Sequence, residues 1–88
     1  MHAVVVDVSI ADVESAEGEL RERVVPMVSK MPGLVAGFWM EAGAGKGHSV
    51  VVFESEAVAK EMAERVPSNL PSSVTVEHVE VRRVVARA

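Results

Sequence analysis

Apolar and polar residues alternate along His2–Ile10, setting Val4, Val6, Val8 and Ile10 on one face of a strand and Val5, Asp7 and Ser9 on the other. The period then changes. Val13, Ala16, Leu20, Val24, Met27, Val28 and Met31 recur at helical spacing, with charged residues at 19, 21, 22 and 23 on the other side, and predict a helix over Asp12–Lys30. Asp12 or Ser15 can cap it, and Glu14 and Glu17 suit its positive end. Pro26 has no backbone N–H to give Glu22, so a kink or break is expected near Val25. Gly18 weakens the same helix by about 1 kcal/mol relative to alanine.

After Met31-Pro32-Gly33 the period returns to two. Leu34–Ala42 reads as a second strand, with Leu34, Ala36, Phe38 and Met40 on one side and Val35, Gly37, Trp39 and Glu41 on the other. Gly43–Gly47 is a hairpin connection into a third strand at Ser49–Phe53. A phosphate-binding loop would lead its glycines into a helix, and these lead into a strand. Ser55 caps a second helix, Glu56–Val66, whose inward stripe is Ala57, Val58, Ala59, Met62, Ala63 and Val66, and Pro67 closes it. Val74–Arg87 forms the last strand. Its apolar phase slips between Val76 and Val79, which predicts a β-bulge near Glu77-His78.

The order β-α-β-β-α-β in 88 residues predicts one ferredoxin-like α+β domain over 1–88, a four-stranded antiparallel sheet with two helices on one face. Twenty residues are valine, and this stiff, β-branched side chain favours sheet. The helices cover one side only. Val5, Val35, Trp39 and one phase of the later valines are expected on the other, where six buried valines would contribute roughly 10 kcal/mol before the cost of association. A homodimer sealed through that face is therefore expected, with the sheets closing into an α+β barrel. Without cysteine there is no disulfide or thiolate metal site to supplement a thin core, which favours oligomerisation further.

Composition excludes several roles. A net charge of −4 opposes nucleic-acid binding, and an RNA-reading sheet would need more aromatics than one tryptophan and two phenylalanines. Metal-carrying ferredoxin-like domains need a cysteine pair. Met1–Ile10 lacks the basic region and cleavage site of a signal peptide, and no apolar run approaches the ~20 residues of a membrane span. A soluble, cytoplasmic protein with no membrane partner is expected.

Val24-Val25-Pro26, Met31-Pro32-Gly33-Leu34-Val35-Ala36-Gly37-Phe38-Trp39 and Val51-Val52-Phe53-Glu54-Ser55-Glu56-Ala57 resemble the dimeric α+β barrel superfamily, which includes the antibiotic-biosynthesis monooxygenase-like proteins. The resemblance spans nearly the whole chain. It implies a pocket for a small apolar or aromatic molecule between helices and sheet, and a cofactor-free, monooxygenase-like activity as one use of it. The asparagine–tryptophan–histidine set of the haem-degrading branch has no match here, because Asn69 falls in a loop and Trp39 on a strand.

Candidate chemistry is sparse. Asp7 interrupts an apolar strand, where burial would raise its pKa toward that of a general base, or where Arg82 or Arg83 could pair with it. His78 lies at the bulge beside Glu77 and Glu80, and histidine is a residue type suited to carrying a proton. Asp7 and His78 are thus the candidate catalytic pair. Trp39 offers a stacking face and an N–H, and Trp39, Met40 and Phe53 are the candidate substrate contacts. His2, near the terminus, is expected to be partly exposed, and His48 to face solvent. No histidine pair has the spacing of a zinc motif, so neither a metal nor a cofactor is expected. The alternative to a ligand-binding or catalytic role is a non-enzymatic domain for self-association or ligand sensing.

Overall fold

His2–Ile10 forms strand β1, the inner strand on which the fold is built; the computed structural model describes residues 1–88. β1 pairs antiparallel with β3 (Lys46–Phe53) on one side and β4 (Val74–Arg83) on the other, and β2 (Leu34–Glu41) pairs outside β3. The order β2-β3-β1-β4 is that of a ferredoxin-like sheet, and the chain has this β-α-β-β-α-β fold. β4 ends at Arg83, short of the expected Arg87, although the Val84 N–H still donates to the Met1 carbonyl at 2.9 Å.

The first helix, α1, runs over residues 13–29 as an α-helical segment Val13–Glu19, a π-helical stretch Leu20–Val24 and a second α-helical segment Val25–Ser29. The disturbance expected near Val25 takes the form of this π-helical stretch, and the helix continues through it. One turn ahead of Pro26 the helix widens, and the Val25 N–H donates to Leu20, five residues back. Pro26 then falls in the first turn of the resumed α-helix, where a missing N–H costs little. Asp12 caps α1 by accepting from the Ser15 N–H at 3.1 Å. The second helix, α2 (Glu56–Arg65), is capped by Ser55, which accepts from the Val58 N–H, and a short 3-10 turn Val66–Ser68 follows it.

Both helices cover the face of β1 that carries Val4 and Val6. These valines, with Val24, Val28, Val51, Phe53, Ala59 and Val66, make the buried core. The edge strands each carry one irregularity. On β4, Asp7 pairs with His78 but Val8 pairs with Val76, so Glu77 is the extra residue of the predicted bulge. On β2, Leu34 pairs with Phe53 and Ala36 with Val52, leaving Val35 as an extra residue that the sequence did not reveal.

That second irregularity corrects the expected faces of β2. Leu34 packs on the core, but past Val35 the phase reverses. Ala36, Phe38 and Met40 turn to the open face, and Trp39 turns under the helices rather than outward.

Phe53 is 0% exposed and has the largest side chain in the core. Phe53→Ala is expected to cost about 3–5 kcal/mol, comparable with the whole stability of a domain this small. Urea denaturation should then find the variant largely unfolded, while Val85→Ala, at an 80% exposed site, leaves the curve unchanged.

Candidate functional site

Between the helices and the sheet lies a cavity of about 260 Å³. Val6 and Val8 of β1, Ser49 of β3 and Trp39 of β2 form its sheet side; Leu20 and Met62 reach in from the helices. The β2–β3 hairpin, through Gly43 and Gly45, and the loop after α2, through Asn69, Leu70 and Pro71, complete its lining. Both are tied to the end of β1: the Ile10 N–H donates to Gly45 at 2.8 Å, and the Ala11 N–H donates to Ser73 at 2.8 Å. From α1, Arg23 donates to the Asn69 carbonyl at 3.2 Å and also pairs with Glu19, which joins helix and loop.

Two glycines shape the sheet side. A Cβ at Gly37 would meet the Cζ3 and Cη2 atoms of Trp39 at 3.1 Å, so the far edge of the indole lies on bare backbone. A Cβ at Gly47 would meet Val8 Cγ2 at 2.9 Å and Ile10 Cδ1 at 3.2 Å. Its absence lets those side chains lean across β3.

The cavity is largely apolar, and Ser49 lies on its sheet side. Ser49 is the sole buried polar residue, 9% exposed, and is flanked in register by Val6 and Trp39. Its hydroxyl takes part in none of the side-chain hydrogen bonds of the chain. Glu17, Glu41, Lys46 and Arg65 also line it, with His48 and Asn69. Ser49 was missed in the sequence, although its phase with Val51 and Phe53 marks it as inward.

The candidate residues divide between the two faces of the sheet. Trp39 lines the cavity; Phe53 is sealed in the core and does not reach it. Met40 borders the cavity along its strand, but its side chain lies on the open face, in register with His48. Asp7 and His78 are also on the open face. Asp7 Oδ1 accepts from His48 Nδ1 at 2.6 Å instead of pairing with an arginine, and His48 is thereby half-buried rather than turned to solvent. His78 is in register with Asp7 on the far side but points its Nε2 to Glu80 at 3.4 Å. His48, Asp7 and His78 thus form a row across three strands. His2 sits on the helix side, its Nε2 3.1 Å from Glu56. Nowhere do three histidine or carboxylate side chains converge as metal ligands would.

Beside that row, the bulge brings Glu77 to Ser9 and Lys46. Glu77 accepts from Lys46 Nζ and from Ser9 Oγ, each at 2.7 Å, and these two bonds hold its carboxyl below the ordinary 4.5. Arg82 first, and His78 second, do the same for Glu80.

Among solved structures, HapK from Hahella chejuensis superposes with a TM-score of 0.71 at 10% identity, over 100% of this chain and 96% of that one. The NE2512 protein of unknown function from Nitrosomonas europaea gives 0.58 at 16% identity, over 99% and 92%. No family model and no curated protein matches the chain. The two structures share its small α+β fold. No helix is long and apolar enough to cross a membrane.

The lowered Glu77 and Glu80 values link folding to pH. A carboxyl whose folded pKa lies below its unfolded value stabilises the fold above the unfolded value and loses that contribution as pH falls through the folded one. Thermal melts taken downward from pH 4.5 should therefore fall more steeply for the wild type than for Glu77→Gln/Glu80→Gln. Both carboxylates are on the surface, so the difference is small and shrinks in salt.

Proposed function

We propose that this chain binds a small apolar, ring-containing molecule in the cavity beneath its helices. The observation that carries the reading is the cavity itself: a largely apolar pocket inside a small domain, walled by a tryptophan and lined by Ser49, whose hydroxyl makes no hydrogen bond within the chain. Protein interiors are ordinarily filled to crystal-like density, so an open volume of this kind stands out. A volume of about 260 Å³ is at the foot of the range for ligand sites, which suits a molecule of one or two rings.

We further propose that the working form is a homodimer of the dimeric α+β barrel kind, closed through the open sheet face. Phe38 is 61% exposed there, and Met40, Val50 and Val5 extend the apolar area around it. A second copy fits this face by charge. Asp7, Glu77 and Glu80 share it with Lys46 and Arg82, so a two-fold partner could set acids against bases. A monooxygenase-like activity like that of the superfamily would draw on Asp7 and His78 only once a second copy had covered them, because neither borders the cavity. The alternative, self-association as the sole role, is favoured by the same exposed Phe38 and predicts no ligand.

Two measurements test these readings. Titration with indane should shift Trp39 emission saturably in the wild type. Ala16→Leu, which adds bulk at a buried lining position, should weaken that binding at least tenfold with the fold retained by circular dichroism. An emission spectrum that never responds would leave self-association as the role. Separately, sedimentation at micromolar concentration should show a dimer for the wild type and a folded monomer for Phe38→Glu. A wild-type monomer would remove the interface.

A further inference from the structure

The geometry points to a narrower ligand class, resting on the binding reading above: a neutral molecule carrying one hydroxyl or carbonyl group, recognised by Ser49 on the cavity wall. The other inward positions on the same stretch of β3 are Val51 and Phe53, both fully buried. A serine in that series forgoes apolar burial, and its Oγ is not among the sealed, unpartnered polar atoms, which are His2 Nδ1 and Ser73 Oγ. The hydroxyl is therefore open to the cavity, where a ligand oxygen can take up a hydrogen bond with it. Ser49 is nine-tenths buried, belongs to the cavity lining, and makes no side-chain hydrogen bond within the chain. A hydroxyl both donates and accepts, so it suits an alcohol or a ketone equally.

Its neighbours orient what it holds. Trp39 stands directly across on β2, in register with Ser49, and opposing residues on one sheet face have Cβ atoms about 5 Å apart. The indole lies along β2 over Gly37, which fixes the plane against which a ring can stack. A ring on Trp39 with an oxygen directed to Ser49 satisfies both groups together.

Charge disfavours the ionised analogues. The charged residues on the lining are two acids, Glu17 and Glu41, and two bases, Lys46 and Arg65; His48, also on the lining, is held by Asp7. Both bases are engaged, Lys46 with Glu77 and Arg65 with Glu61 at 2.6 Å. A carboxylate carried to Ser49 would lose its water and meet no countercharge.

Three probes on one frame test this: indane, 1-indanone and indane-1-carboxylate, titrated by calorimetry and by Trp39 emission. In the wild type, 1-indanone should bind about tenfold more tightly than indane, the worth of one buried hydrogen bond. The carboxylate should bind most weakly. Ser49→Ala should abolish the preference for 1-indanone over indane, and Ser49→Thr, which keeps the hydroxyl, should retain it. An undiminished preference in Ser49→Ala, or a carboxylate that binds tightest, would overturn the assignment and leave the binding reading standing. Failure of all three probes would instead overturn the binding reading, and this assignment with it.

Discussion

The pleat of β1 is the constraint from which the rest of the molecule follows. One phase of this strand holds Val4, Val6, Val8 and Ile10 against the helices; the other carries Ala3, Val5, Asp7 and Ser9. Because β1 pairs on both sides, its alternation is passed in register to β3 and β4 and through β3 to β2. A slip of one residue would exchange the two sets entirely. The cavity exists because the helix-facing set is apolar and incompletely filled. The polar row exists because Asp7 belongs to the other set and meets His48 across the β1–β3 ladder.

Much of this architecture is legible in the chain because it is written locally. The β1 bounds, the capping roles of Asp12 and Ser55, and the bulge at Glu77 all rest on spacing over a few residues. The Glu77 bulge shows in the sequence because it changes the interval between two valines. The extra residue at Val35 does not, since Leu-Val-Ala-Gly reads equally well in either phase. That single hidden residue exchanges the places of Phe38 and Trp39, so the aromatic expected outside lines the cavity and its neighbour is the one exposed. Pro26 was rightly read as a disturbance, but its accommodation by a π turn ahead of it depends on how α1 meets the sheet.

The site was less legible than the fold, for a physical reason. Asp7 finds its partner 41 residues away through strand pairing, and nothing near Asp7 in sequence distinguishes His48 from Arg82 as that partner. Ser49 carries a phase signal, yet a small polar residue ahead of three valines looks like a strand entry until the cavity above it is seen. Trp39 was identified as a ligand contact on its size and chemistry, and it does border the cavity, but from the opposite side of the sheet to the one expected. The two aspects of the sheet thus offer different chemistry: a largely apolar pocket with Ser49 on its wall, and a surface where apolar side chains adjoin titratable ones.

The extra residues at Val35 and Glu77 have a consequence beyond phase. They lie on β2 and β4, the two strands with an unpaired rim, and each interrupts the even series of N–H and C=O groups that an incoming strand would need. A chain so rich in valine is otherwise well suited to runaway fibril growth. With both rims broken, further copies are discouraged from adding side by side along either edge of the sheet.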